Sequence, residues 1–154
     1  MSTAAFQDAY PDELSHCYGC GRLNPDGLQL KSYWDGEETV ARFRPRDSHM
    51  AIPGYVYGGL LASLIDCHGT GSAAAAAGRA RPEKAPFRFV TASLHVDYLR
   101  PTPIDAELEI RGTIKELKEK KVVVATSVFA NGKLCARGEV VAVRMPENMV
   151  PKTE

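Results

Sequence analysis

The stretch GYVYGGLLASLIDCHGTGSAAAAAG, residues 54–78, is the most apolar part of the chain and decides its fold. From Gly58 onward, apolar residues occupy nearly every side of a helical projection, and Gly78 is typical of a residue that caps a helix at its C-terminus. A helix that is apolar all round must be covered by other elements. One carboxylate, Asp66, lies in the middle, and burying an unpaired charge is costly. The sequence thus predicts a buried central helix in which Asp66 requires an explanation.

Four long runs of β-branched and alternating residues follow this helix and can cover it. They span residues 87–99, 106–117, 121–130 and 134–144, and two shorter runs, 28–34 and 39–43, precede the helix. The pairs Asp35-Gly36 and Asn131-Gly132 are typical of tight hairpin turns. This order predicts an α+β fold in which a curved antiparallel β-sheet wraps one long central helix.

The composition suits one domain and gives no strongly charged surface. The 154 residues are 44% hydrophobic and 25% charged, and 19 basic residues balance 19 acidic ones. A protein with balanced charge has no net electrostatic attraction to nucleic acid or to an anionic membrane, so neither is expected as a partner. We expect an N-terminal arm over residues 1–26, a single domain over residues 27–146 and a polar tail over residues 147–154.

Membrane insertion and export are not expected either. Residues 58–77 are about as long as a membrane span, but Asp66, His68 and several hydroxyl groups and glycines make the segment a poor one. The first residues carry acidic side chains and no basic residue ahead of an apolar core, so they do not match a signal peptide. We therefore expect a cytoplasmic protein.

The cysteines form an incomplete metal-binding pattern. Cys17-x-x-Cys20 has the spacing of half a zinc site, but no second CxxC or HxxxH pair follows, and Cys67-His68 alone is not such a pair. The favoured interpretation is reduced thiols in a turn, with no bound metal.

Two segments carry a family resemblance. Residues 53–66, PGYVYGGLLASLID, and residues 91–101, TASLHVDYLRP, resemble acyl-CoA thioesterases of the hotdog superfamily, and the phenylacetate-pathway branch, with the thioesterase-superfamily-member proteins of animals, is the most similar. The similarity runs from about residue 17 to residue 145. In the family a His precedes a Gly pair and an Asp follows that His by nine residues. Here the Gly pair is Gly58-Gly59 and the Asp is Asp66.

The resemblance implies a hotdog fold, a homodimer or a dimer of dimers, and active sites built by both chains. It implies an acyl-CoA substrate, with coenzyme A as part of that substrate and no separate cofactor. Asp66 would then act as a general base or as a nucleophile on the thioester. The backbone N–H groups of Gly58 and Gly59, at the positive end of the helix dipole, would hold the oxyanion. Because about 12 Å of helical rise separates these groups, we expect the thioester to lie between one helix N-terminus and Asp66 of the other subunit.

Thr91 occupies the place at which the family has a Ser or Thr that positions the water or the carboxylate. The alternative for Thr91 is an ordinary strand residue with a solvated hydroxyl. The alternative for Asp66 is a buried acid that pairs with Arg88 or Arg100 for structure alone.

Coenzyme A carries phosphates, so basic residues are expected at the mouth of its tunnel. The candidates are Arg100 and the turn that contains Lys118, Lys120 and Lys121. A solvated turn explains the lysines equally well. Arg79 and Arg81, after the helix, are a weaker second choice.

Two positions depart from the family pattern. Tyr57 stands where the family has His, and Ala51 stands where many members have Asn. A Tyr hydroxyl can donate to a carbonyl, but it is longer and harder to ionise. His49 is a candidate to reach the site from its loop, although an exposed loop His is the commoner case.

These departures keep a second function open, a hotdog protein that binds acyl-CoA without turnover. A hotdog dehydratase or hydratase is disfavoured, because its His-containing motifs are not present. His68, two residues after Asp66, is expected on a different face of the helix, packed against the sheet.

Overall fold

One helix and one antiparallel sheet make up the computed structural model, which describes residues 3–152. The helix α1 (Gly58–Ala80) lies against a six-stranded sheet in the order β1-β2-β4-β5-β6-β3. The strands are β1 (Ser32–Asp35), β2 (Glu38–Phe43), β3 (Phe89–Tyr98), β4 (Leu108–Leu117), β5 (Lys121–Ala130) and β6 (Lys133–Arg144). This arrangement confirms the predicted α+β architecture.

The core lies between the helix and the concave face of the sheet. Leu64 and Ile65 of α1 are fully buried, as are Val124 of β5 and Val140 of β6. The helix contacts β3, β4, β5 and β6 along its length. Its apolar residues are covered on nearly every side, which is the environment that the sequence predicts.

The helix ends three residues later than predicted. Gly78 does not cap it, since α1 continues to Ala80 and Arg81 is the capping residue. Pro82 follows, and the residue before a proline is disfavoured in the helical conformation. The proline, rather than the glycine, therefore ends the helix.

The first strand is shorter than predicted and begins at Ser32 instead of Leu28. The amides of Leu28 and Leu30 donate to the carbonyls of Tyr18 and Gly19, so this segment is paired with the N-terminal arm. Gln29, between them, has a positive φ of 53°, which a regular strand does not accommodate.

The N-terminal arm contributes to the core. It contains two short 3-10 turns, Phe6–Ala9 and Asp12–Leu14, and it buries Gln7 and Tyr10. At the other end, Glu147–Met149 forms a 3-10 turn, while residues 153–154 of the predicted polar tail lie outside the described residues. Within residues 3–152, no helix is long and apolar enough to cross a membrane.

Candidate active site

Asp66 lies in the third turn of α1, half-buried beneath the edge strand β3. The Thr91 hydroxyl, at the start of β3, donates a hydrogen bond to Asp66 Oδ1. The sequence places these two residues 25 positions apart, and the fold brings them into direct contact. A hydroxyl donor fixes the orientation of the carboxylate and leaves its second oxygen for another group.

An irregularity in β3 allows Thr91 to face the helix. The pairing register between β3 and β6 shifts between Thr91 and Ser93, so Ala92 is an extra residue, a β-bulge. In a regular strand, Thr91 and Tyr98 would point to opposite faces, because they are seven residues apart. With the bulge, both contact α1, since the Tyr98 hydroxyl donates to the Gly58 carbonyl at 2.7 Å.

The N-terminus of α1 carries free backbone donors. Within residues 3–152, the amides of Gly58 and Gly59 have no hydrogen-bond acceptor, whereas the amide of Leu60 donates to the Tyr57 carbonyl at 3.1 Å. Free amides of this kind, at the positive end of a helix dipole, are suited to holding a developing negative charge. A cavity of about 280 Å³ opens beside Gly58 and is also lined by Arg100 and Tyr98.

Tyr57, which stands where a His was expected, precedes the helix and is 58% exposed. Its ring lies over Gly59, where any Cβ would come within 2.3 Å of the ring. Only a glycine fits beneath this ring without displacing it. The Tyr57 hydroxyl lies 2.8 Å from the position that this Cβ would take, next to Gly59.

Asp66 is not part of a structural ion pair. Among the described residues, no Arg or Lys lies within ion-pair distance of its carboxylate. Arg88 lies over the ring of Tyr10, 4.8 Å from its centroid, and Arg100 lines the cavity next to Gly58. The alternative in which either arginine neutralises Asp66 within one chain is therefore wrong.

The basic candidates for phosphate binding fall into two groups at opposite ends of β3. Arg100 follows the Tyr98 end of the strand, whereas the lysine turn joins β4 to β5, across the sheet from the Phe89 end. Lys118 and Lys121 pair with the Glu116 carboxylate, at 2.9 and 3.5 Å. Lys120 instead lines a cavity of about 670 Å³, together with the basic residues Lys84, Arg88 and Arg144.

His49 and Ala51 belong to the segment that precedes the helix. His49 accepts the Arg46 amide at Nδ1 (3.0 Å) and its carbonyl accepts the Tyr57 amide, so it borders the helix entry through its backbone. Partial burial and the Arg46 charge lower the pKa of His49. Ala51, an exposed loop residue, forms a backbone hydrogen bond to the Tyr55 carbonyl.

His68 packs against the sheet, as predicted. Its Nδ1 lies 2.8 Å from Ser32 Oγ of β1 and its Nε2 lies 2.9 Å from Thr39 Oγ1 of β2. Complete burial lowers its pKa to about 4. His68 is therefore a neutral, satisfied residue of the core.

The comparisons with known proteins agree with this fold. The model of the family described as "Thioesterase superfamily" matches residues 53–143, which include the helix, β3 and the other long strands. The chain belongs to the thioesterase superfamily. The wrapped helix is accordingly the hotdog fold that the resemblance implies.

Several solved structures are similar to this member of the superfamily. A thioesterase superfamily protein from Shewanella loihica PV-4 is 55% identical, with a TM-score of 0.71, and the match covers 91% of this chain and 99% of that one. A mutant of the phenylacetic acid degradation protein PaaI from Thermus thermophilus is 27% identical, with a TM-score of 0.60 and coverage of 77% and 95%.

A hypothetical thioesterase from Streptococcus pneumoniae TIGR4, solved with coenzyme A, is 15% identical with a TM-score of 0.63, and the match covers 75% of this chain and 88% of that one. At this identity the likeness shows the fold alone. The search of curated proteins found no match.

Sequence reasoning missed two features around α1. One is Tyr98, whose hydroxyl joins β3 to the helix N-terminus. The other is a third thiol beside the Cys17-x-x-Cys20 pair, because Cys67, which directly follows Asp66, lies next to Cys17. A pattern search restricted to neighbouring positions cannot find a partner 50 residues away.

Proposed function

We propose that this protein is an acyl-CoA thioesterase that hydrolyses its substrate to a free acid and coenzyme A, with Asp66 as the reacting carboxylate. The contact between Thr91 and Asp66 is the observation that carries the proposal. A carboxylate that has no ion-pair partner in its own chain, and that is oriented by a single hydroxyl, suits a general base or a nucleophile. A merely structural acid would be expected to have a cation beside it.

The oxyanion would be held by the free amides of Gly58 and Gly59. These amides lie eight and seven residues before Asp66 on the same helix, at about 12 Å of axial rise, which is too far for one thioester carbonyl. The amides and the carboxylate therefore act on one substrate only if a second copy supplies one of the two groups.

The edge strand β3 supports such a dimer. Residues 91–95 of this ten-residue strand are exposed, and its outer side has no neighbouring strand in the described chain. A two-fold axis perpendicular to the sheet keeps both helices on one face and pairs the two β3 strands antiparallel. The Tyr98 end of one strand, with Gly58 below it, then lies beside the Thr91 end of the other, with Asp66 below it.

The same arrangement accounts for the separation of the basic residues. Arg100 of one copy would lie close to Asp66 of the other, and the lysine turn would lie further along the same side. Arginine and lysine are suited to phosphate oxygens, as a planar fork and as a point charge respectively. Arg100 is thus proposed to bind coenzyme A, with Lys120 as a second contact, and no metal or further cofactor is needed for the hydrolysis.

Release of free coenzyme A from a panel of short, long and aromatic acyl-CoAs tests the proposal. Wild-type protein should hydrolyse at least one of them, and Asp66→Asn should reduce kcat roughly 100-fold to 10,000-fold, the usual contribution of a positioned base. Asp105→Asn is the matched control, because Asp105 is an exposed loop residue whose carboxylate contacts none of these groups.

Absence of turnover on the whole panel would contradict the proposal. If acyl-CoA then bound with saturation and without hydrolysis, the protein would be a binding member of the superfamily. Tyr57 in place of the family's His is the observation that favours this second function, because a Tyr hydroxyl is a weaker acid than a protonated imidazole.

A further inference from the structure

Three thiols meet where the N-terminal arm crosses α1. The Sγ atoms of Cys17, Cys20 and Cys67 all lie within 4.8 Å of one another. Cys17 and Cys20 come from the turn of the arm, and Cys67 comes from the middle of the helix. None of the three is in a disulfide. The incomplete half-site of the sequence is thereby extended by a third sulfur from a distant part of the chain.

The spacing of these sulfurs matches a tetrahedral metal ion. Zinc binds thiolate sulfur at about 2.3 Å, so two sulfurs on one tetrahedral ion are about 3.8 Å apart. The Sγ atoms of Cys17 and Cys67 are 3.8 Å apart. A disulfide, by contrast, needs sulfurs at about 2.0 Å.

The backbone around the cluster leaves room for the third sulfur. A Cβ on Gly19 would lie 2.2 Å from the Cys67 sulfur, so any other residue at position 19 would block the approach of Cys67. The glycine thus allows a sulfur from α1 to approach the turn of the arm.

An independent observation also points to a ligand at this place. The Tyr10 hydroxyl is buried and has no hydrogen-bond partner among the described residues. Tyr10, Cys20 and Cys67 belong to one cluster of buried residues, and Cys17 packs against that cluster. A buried polar group without a partner requires an explanation, and an ion or an ordered water is the usual one.

The local charge and access suit a thiolate-bound cation. The Arg88 guanidinium stacks on the Tyr10 ring and supplies a positive charge next to this residue. Cys17 is only partly buried, whereas Cys20 and Cys67 are buried, so an ion has a path from solvent on one side. A metal site needs both a charge-balanced surrounding and an entry path.

We propose that Cys17, Cys20 and Cys67 bind one zinc ion per chain, and that this ion fastens the N-terminal arm to α1. Three thiolates fill three positions of a tetrahedral ion, and the solvent beside Cys17 is available for the fourth. The site lies one residue after Asp66, so metal binding would also hold the helix in place at the candidate active site. This inference does not depend on whether the protein is an enzyme.

Cobalt binding to the reduced, metal-free protein tests the site under anaerobic conditions. Cobalt replaces zinc in tetrahedral sites and shows thiolate-to-metal charge-transfer absorption together with intense visible bands. We expect one Co²⁺ per chain with these bands, and displacement by one equivalent of Zn²⁺. Zinc should also raise the Tm of wild-type protein, because it binds the folded chain preferentially.

Single Cys→Ser variants show whether Co²⁺ binds to the three-thiol cluster or to Cys135. Cys17→Ser, Cys20→Ser and Cys67→Ser should each weaken Co²⁺ binding at least tenfold, since even a change in the groups around the ligands costs about 10-fold to 100-fold. Cys135→Ser is the matched control, because Cys135 is a buried thiol whose sulfur lies next to the Lys133 carbonyl on β6. It should bind Co²⁺ as wild-type protein does.

Two results would overturn the proposal. One is wild-type protein with fully reduced thiols and no thiolate-to-cobalt absorption. The other is unchanged absorption in Cys17→Ser, which is the most exposed of the three positions and the variant least expected to unfold. Circular dichroism of each variant separates loss of the site from loss of the fold.

Discussion

The two edges of the sheet differ in how they are covered. At one edge, β1 has only four residues, and the N-terminal arm lies against it. Phe6 packs edge-on against Trp34 with ring centroids 5.5 Å apart, and Gln7 accepts the Ser32 amide at 2.8 Å. At the other edge, β3 has ten residues, and no part of the described chain pairs with its outer side.

An uncovered strand edge is an aggregation hazard that proteins normally avoid. The chain covers β1 with its own arm and leaves β3 open beside Thr91, which contacts Asp66. The open edge is therefore available to a partner, and in the proposed composite site that partner would be a second copy of the chain. Four experiments test this comparison.

The largest expected effect comes from a charge at the centre of the open edge. Leu94→Lys places a cation close to its own symmetry mate in the proposed dimer, and like charges opposite each other destabilise strand pairs. We expect a monomer by sedimentation velocity, and a fall in kcat of roughly 100-fold to 1,000-fold, the cost of losing oxyanion donors. Leu23→Lys is the control, because Leu23 is 42% exposed and Leu94 is 40% exposed. A Leu94→Lys protein that is still dimeric and active would show that β3 is not the interface.

The second effect concerns the hydroxyl that orients the carboxylate. Thr91→Val keeps the shape and removes the donor to Asp66. A hydrogen bond to a charged group contributes about 1.5 to 3 kcal/mol, so kcat should fall roughly 10-fold to 100-fold. Thr91→Ser retains a hydroxyl and should restore most of the activity with little change in KM. Equal loss in the Val and Ser variants would show that Thr91 is needed only for packing.

The third effect is a pH dependence of the protein's stability, caused by His68, which bonds to β1 and β2 at the covered edge. His68 has a pKa of about 4 in the folded protein and an ordinary value of 6.5 when unfolded. Between these values the unfolded chain binds a proton and the folded chain does not, so stability is lost as the pH falls below 6.5. The free energy of unfolding should decrease by about 2 kcal/mol from about pH 7 to about pH 5 through this residue. Urea unfolding of wild-type protein and His68→Gln measures it, and an equal pH dependence in both proteins would exclude His68 as the cause.

The smallest effect concerns the cation that lies on the covered edge. The Arg79 guanidinium stacks on Trp34 at 3.6 Å from the ring centroid. Such a contact contributes about 0.5 to 1 kcal/mol at an exposed site, so Arg79→Gln should lower the free energy of unfolding by that amount. Arg79→Lys, which keeps a charge, should lose less. Thermal unfolding measures both, and a neutral Arg79→Gln would mean that the arm covers β1 without this contact.

Much of the fold could be predicted from local sequence signals. The Asn131-Gly132 turn is present, with positive φ values of 51° and 75°, and β5 runs over residues 121–130 as expected. These features are decided by neighbouring residues, through turn conformation and alternation. The early start predicted for β1 was wrong because Leu28 and Leu30 bond to the arm, a contact that local patterns do not contain.

Less of the candidate site than of the fold could be predicted from the sequence alone. Asp66 stood out because it is the one acid in an apolar helix, and Thr91 came from the family resemblance. The roles of Tyr98 and Cys67 depend on a strand irregularity and on the path of the arm, and neither leaves a periodic signal. The site residues of the sequence analysis remain predictions until turnover is measured.

The bulge at Ala92 has a consequence for comparing this chain with its relatives. The bulge changes which residues of β3 face the helix. Before the bulge these are the odd-numbered residues, and after the bulge they are the even-numbered residues. An alignment that places a gap on the wrong side of Ala92 exchanges inward and outward positions for part of the strand. Deleting this single alanine would leave Thr91 and Tyr98 six residues apart, so a regular strand without the bulge would keep both residues on the helix side.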